Sequence, residues 1–326
     1  MTEMNAGAAH GLRIGVDNPA AGQQRAHPMT DHSTSRAGYA YALTAFTLWG
    51  VIPLFFKALI PIDSIDIVAH RVLWAVPPLA LLLWARGRLG EVKAALANPK
   101  VRWTLLLTAC LIAVNWLVYI LGVNSGHVLA TSLGYYLNPL INVLIGRFLL
   151  SEHLSRLQWS ALGLAAIGIA ILAAGSTFTD LWITLTLGFS FGFYGYFRKK
   201  VDVGAAPGLL LETIILAPLT ILWLTSLRDM GDPLWGPSGW HTFLLAISGV
   251  VTALPLLLFT EGARRLPLST IGILQFLAPT MQFAMGVFLF GELFTSARAL
   301  AFAFIWAAIS LYVMALVRQA RERKPS

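Results

Sequence analysis

Thr131-Ser-Leu-Gly-Tyr-Tyr-Leu-Asn-Pro-Leu-Ile-Asn-Val-Leu-Ile-Gly-Arg-Phe-Leu-Leu-Ser-Glu152 decides how the rest of the chain is read. The stretch is long and apolar enough to cross a bilayer as a helix. Tyr135, Asn138 and Asn142 nevertheless recur at i, i+3 and i+7, which places all three on one helix face. An unsatisfied polar group in hydrocarbon costs free energy, so that face is expected to look onto other helices or onto a wet cavity. Pro139 sits in the middle, removes one backbone hydrogen bond and is expected to loosen or break the helix there.

Composition sets the class. Of 326 residues 57% are hydrophobic and only 12% charged, with mean hydropathy +0.72. Soluble domains carry roughly twice that charged fraction. The formal charge of +8 sits in short loops between apolar runs, the distribution of a polytopic membrane protein rather than of a nucleic-acid binder. One cysteine, Cys110, excludes an intrachain disulfide.

Outward from the opening stretch, ten apolar segments of spanning length are expected: 38–59, 65–84, 103–123, 128–150, 157–174, 181–197, 208–227, 241–261, 268–290 and 299–317. Residues 1–37 read as a disordered tail with no signal-peptide core, and Met29 is an alternative start. Glu91–Ala97 reads as a short surface helix, and 318–326 as a basic tail. With the N-terminus in the cytoplasm, nearly every Lys and Arg of the loops falls inside, and only Arg228 and Arg298 fall outside. Both termini are therefore expected to be cytoplasmic in a bacterial inner membrane.

The chain also repeats itself. Pro139 and Glu152 recur as Pro279 and Glu292, a shift of about 140 positions that also aligns Gly122 with Gly262 and Phe148 with Phe288. One position of slippage aligns Arg71 with Glu212 and Pro77 with Pro218. Each unit (38–175 and 181–317) holds five expected spans. An odd number forces the second to enter the membrane inverted. The expected fold class is an all-α integral membrane protein of ten helices in two inverted five-helix repeats. A proline-interrupted polar span at mid-membrane in each half is how secondary transporters present a site.

Several stretches resemble the RarD group of EamA-domain proteins in the drug/metabolite transporter superfamily. They are His70-Arg71, Asn115-Trp116, Asn124 with Gly126-His127, Ser132-Leu-Gly-Tyr-Tyr-Leu-Asn-Pro-Leu140 with Asn142, Gln158-Trp159, Tyr194-Gly195 with Arg198-Lys199, Leu211-Glu-Thr213, Val251-Thr252 with Pro255-Leu256, and Arg265-Leu-Pro-Leu-Ser269 with Gln275 and Pro279. The resemblance spans about 38–317, and 132–142 is its most specific part. It implies a ten-helix inner-membrane transporter of two EamA repeats, with no settled substrate. RarD-like chains often carry an acidic residue just before the Ser-Leu-Gly-Tyr motif. Here the run is Leu129-Ala130-Thr131, so a coupling role tied to that position does not carry over.

The expected substrate-facing residues are Trp49, Asn115, Tyr135, Asn138, Asn142, Tyr194, Gln275 and Gln282, each competing with plain interhelical packing and hydrogen bonding. Ionisable groups within or beside spans are functional candidates by default: Lys57, His70, Arg71, Glu152, Arg198, Lys199, Glu212 and Glu292. One arrangement would have Lys57 or Arg71 latch onto Glu292 at the outer mouth, and Arg198 or Lys199 onto Glu152 at the inner. The other would leave both glutamates as solvated helix ends. No metal cluster, phosphate loop, nucleophile arrangement or ATPase motif is present, so no cofactor and no enzyme activity is expected. The reading is a permease for a small, uncharged or zwitterionic, partly aromatic solute. Proton or other ion coupling and a homodimer stay open. The rivals are a non-transporting sensor or subunit and a lipid-modifying membrane enzyme.

Overall fold

The computed structural model describes residues 32–149, 154–175, 177–229, 235–263, 265, 266, 271 and 274–322. They form eleven α-helices and no strand: α1 (His32–Lys57), α2 (Ser64–Ala85), α3 (Leu89–Ala97), α4 (Pro99–Asn124), α5 (Val128–Leu149), α6 (Arg156–Gly175), α7 (Phe178–Lys200), α8 (Ala205–Asp229), α9 (Gly239–Ala263), α10 (Leu277–Ala284) and α11 (Ser296–Glu322). Eight of them, α1, α2, α4, α5, α6, α8, α9 and α11, contain segments long and apolar enough to cross a membrane.

Local chemistry explains the boundaries. Asp63 caps α2 by accepting from the Ile65 amide at 2.8 Å. Asn98 does the same for α4 through Lys100 at 3.0 Å, with Pro99 in the first turn where no donor is needed. At the other end of α4, Gly126 takes φ +82, and the His127 amide donates back to the Gly122 carbonyl. That is a left-handed helix stop that only glycine adopts freely. Thr177 and Asp180 cap α7, which ends on Arg198-Lys199-Lys200 where the helix dipole favours cations. The amphipathic α3 matches the expected surface helix. α1 begins at His32, ahead of the expected Gly38; the rest of the expected tail lies outside the described residues.

The Pro139 expectation needs correcting. α5 runs unbroken from Val128 to Leu149 through Pro139, and 83% of its most apolar window is buried. A helix this closely packed around its proline tolerates one missing hydrogen bond. Its counterpart around Pro279 is the interrupted one. Gln275 and Phe276 form a turn, Pro279 falls in the first turn of α10, and a π-helical segment (Met285–Leu289) follows.

The two halves of the chain interleave. α1 packs on α9 and α7 on α4; α1 packs on α10 and α7 on α5; α2 meets α8 and α9, α8 meets α4, and α6 lies along α11. Glycines permit the closest contacts. A Cβ on Gly134 would meet the Thr184 carbonyl, and one on Gly188 the Gly134 carbonyl, so α5 and α7 touch backbone to backbone. A Cβ on Gly249 would collide with the Trp74 backbone, which fixes α9 against α2.

Candidate functional site

Three polar clusters lie inside or at the ends of this bundle. The first centres on Asn115 of α4, which is 1% exposed. Its Nδ2 donates to the Leu187 carbonyl at 3.2 Å and to Ser190 Oγ at 3.0 Å, both on α7. Its Oδ1 accepts from the Tyr135 hydroxyl of α5 at 3.1 Å. One amide thus joins three helices. One turn along α4, Tyr119 stacks near Tyr135, centroids 5.5 Å apart, and keeps its hydroxyl buried without a described partner. Arg71 of α2 reaches into the same cluster. Its Nε donates to Thr252 Oγ1 of α9 at 2.7 Å, and its guanidinium lies 4.3 Å from the Trp116 ring centre and 5.5 Å from that of Phe56.

The second cluster surrounds Glu212 of α8, which is fully buried. Its carboxylate accepts from Thr108 of α4 at 2.7 Å and from the Tyr194 hydroxyl at 3.2 Å, and pairs with Arg198 Nε at 3.6 Å. Arg198 also donates to the Gly204 carbonyl at 3.1 Å. A Cβ on Gly208 would strike that guanidinium, so the bare glycine makes room for it. Lys199 is exposed beside this pair.

The third cluster closes the bundle at the start of α5. Glu292 accepts from the Val128 and Leu129 amides, the latter at 2.9 Å. Those are orphan donors of a helix N-terminus, where a carboxylate is favoured by both hydrogen bonding and dipole. Alongside, Asp180 pairs with His127 at 2.9 Å and with Arg298 at 2.8 Å. Burial pushes the Glu292 carboxyl above its usual range, against the pull of the Leu129 and Val128 amides.

This corrects the gate arrangement. Glu292 is neither a latch for Lys57 nor a solvated helix end; it caps a helix from the other half of the chain. The Lys57 ammonium lies instead over the Phe290 ring, 5.4 Å from its centre. Glu152, the expected inner partner, lies outside the described residues; Arg198 is engaged with Glu212.

The remaining candidates fall as follows. Asn138 is buried, and its Oδ1 has no partner among the described residues. Gln282 is 2% exposed, donates from Nε2 to the Trp49 carbonyl at 3.0 Å and leaves Oε1 without a described partner. Trp49 itself packs between Phe46 and Phe259, each centroid 5.7 Å away. Gln275 is half-buried in the turn before α10. His70 is buried against the Trp235 ring at 5.4 Å. Asn142 departs from expectation: it is exposed although Tyr135 and Asn138, on the same face, are not. α5 is less closely covered toward its C-terminal end. Tyr119, Thr252, Ser190 and Thr108 were not among the expected site residues. The i, i+4 spacing of Asn115 and Tyr119 was the available signal for one of them. The others act through contacts between distant segments.

Residues 36–174 match the model of the EamA-like transporter family. A protein of Vibrio cholerae called an uncharacterized transporter is 42% identical over 86% of this chain and 93% of its own length. Protein RarD of Escherichia coli K12 is 38% identical over 90% of this chain and 100% of its own. One solved crystal structure superposes with a TM-score of 0.56 at 20% identity, covering 88% of this chain and 99% of its own, which shows a shared fold. The names of the relatives point to transport rather than catalysis. With eight spanning-grade helices and these relatives, the chain is a membrane protein of the EamA-like transporter family, in the drug/metabolite transporter superfamily, and is similar throughout to the proteins named RarD.

Proposed function

We propose that the protein is a secondary-active permease for a small organic solute, working by alternating access around a site between two inverted five-helix repeats (38–175 and 181–317) in a bacterial inner membrane. In this reading the repeats contribute ten spans, with α7 and the interrupted segment containing α10 completing the eight apolar ones, and both termini face the cytoplasm. One observation carries the site. Asn138 in the middle of α5 and Gln282 in α10 each bury an amide oxygen without a described partner. Buried polar atoms are nearly always satisfied, and a bound solute would supply the missing donors. The helix contacts favour the repeat, because they exchange in pairs: α1–α9 with α7–α4, α1–α10 with α7–α5, and α2–α9 with α8–α4. Glu292 and the Asp180–His127–Arg298 group form the outer closure, and Glu212 with Arg198 the inner one. Glu212 is the buried carboxylate placed to couple a proton.

The test is uptake by proteoliposomes. Labelled amino acids, nucleosides and amphenicols are screened with and without a proton gradient, beside an Asn138→Ala, Gln282→Ala double variant. Saturable flux of one solute class, lost in the variant, is expected. Flux unchanged in the variant would move the site elsewhere. Folded protein carrying no solute would favour a sensor or accessory subunit.

A further inference from the structure

Arg71 is 6% exposed and sits about 10 Å along α2 from its start at Ser64, taking the helical rise per residue. Among the described residues no carboxylate pairs with it. Its single side-chain hydrogen bond uses Nε, toward Thr252, and the Nη fork makes none to any described residue. A buried cation without a counter-charge is costly, more so at membrane depth. The groups around it are those of a recognition site rather than a structural ion pair. The flat Trp116 ring lies at 4.3 Å from the guanidinium, and Tyr119 packs on Phe56, the second ring beside it, at 5.9 Å and on Tyr135 at 5.5 Å. The Tyr119 hydroxyl is buried with no described partner.

We propose that Arg71 is the anion receptor of the transport site, and that the solute is an organic anion, a carboxylate joined to a planar or aromatic body. This rests on the permease reading and replaces the expected neutral or zwitterionic solute with an anionic one, keeping its aromatic part. The Nη fork is free to take a carboxylate bidentately, the geometry for which guanidinium is suited. Tyr119 donates a further hydrogen bond to it, and the Trp116, Tyr119 and Tyr135 rings stack on the planar part of the solute.

The experiment uses the full chain in nanodiscs and a matched pair of probes, phenylacetate and phenylacetamide, which differ in charge but hardly in shape. Binding is read by tryptophan fluorescence and by ligand-induced thermal shift, for the wild type, Arg71→Gln and Arg71→Lys. The wild type is expected to prefer the carboxylate by about tenfold or more, a preference that collapses in Arg71→Gln and is partly kept in Arg71→Lys. Unliganded Arg71→Gln melting near the wild type shows that the loss is not unfolding. Equal binding of acid and amide, carboxylate binding unaffected by Arg71→Gln, or no binding of either probe by folded wild type would overturn the proposal. Flux of the same pair separates the two readings. Amide carried as well as acid leaves the permease and removes the anion site, whereas carboxylate bound but never carried leaves the anion site and removes the permease.

Discussion

Arg71 and Glu212 occupy positions that align under the proposed internal repeat, yet the fold treats them differently. Both are buried ionisable side chains, each held by a threonine from the other half, Thr252 for Arg71 and Thr108 for Glu212. Glu212 has a counter-charge in Arg198 and a phenol in Tyr194. Arg71 has aromatic faces and an idle fork. A buried charge that is paired belongs to the fold or to its gating. One that is not paired within the protein is held in readiness for something else. Positions that align between the two halves thus hold one buried charge paired with a described residue and one that is not.

The widest separation between the two should come from removing each charge. Glu212→Leu leaves Arg198 buried without its partner and is expected to destabilise the protein by about 3 kcal/mol. That is the low end for a broken buried pair, since the Gly204 carbonyl still accepts from Arg198. Arg71→Met orphans no charge, and Thr252 keeps its bond to the Ser248 carbonyl. The lost cation–π contacts, worth about 2 kcal/mol when desolvated, are offset by relief of the buried unpaired charge, so the net loss should be well below that of Glu212→Leu. Thermal unfolding in detergent checks both. Equal losses would erase the distinction.

A smaller effect probes the glycines beside the two charges. Gly249→Ala presses on the Trp74 backbone, which cannot yield, whereas Gly208→Ala presses on the flexible Arg198 guanidinium. Overpacking against backbone is expected to cost about 1–3 kcal/mol, with Gly208→Ala cheaper. The reverse ranking would mean that the Arg198–Glu212 pair, not the α2–α9 contact, is the more rigid feature.

The smallest effect is a slope. Burial raises the Glu292 carboxyl above its ordinary 4.5 in the folded protein. The folded state then holds that proton more tightly than the unfolded one, so the stability contribution is full at low pH and is lost as pH rises through the folded value. Glu292→Gln should remove this share of the decline in Tm above pH 4.5. Parallel Tm–pH curves for variant and wild type would show that the cap carries no such penalty.

Much of this was legible in the chain. Apolar run lengths placed most helices to within a few residues; α1 starts six residues earlier than expected, and within the expected span 268–290 the described α-helix is only Leu277–Ala284. Asp63, Asn98 and Gly126 mark boundaries that capping chemistry explains locally. Asn115, Tyr135, Asn138 and Gln282 were recognised as buried polar groups because polar residues at helical spacing in apolar segments have few other uses. Pro139 and Pro279 show where local reading stops. The same residue at matched positions leaves α5 continuous and follows a turn at Gln275–Phe276 in the segment of α10, although both prolines are buried. Glu292 was read as an outer-gate partner or a free helix end, and proved to cap α5 from 163 residues away.

The sequence by itself determined the class, eight of the spans and most of their boundaries, since these depend on residues within a turn or two of one another and on transfer free energies that act locally. Tertiary structure alone decided which charges found partners. Glu212 met Arg198 and Thr108, Glu292 met the start of α5, and Arg71, among the described residues, met rings and a threonine. Those outcomes depend on how helices from the two halves interleave, which is set by close-packed surfaces such as Gly134 on α7 and Gly249 on α2 and by no single segment read alone.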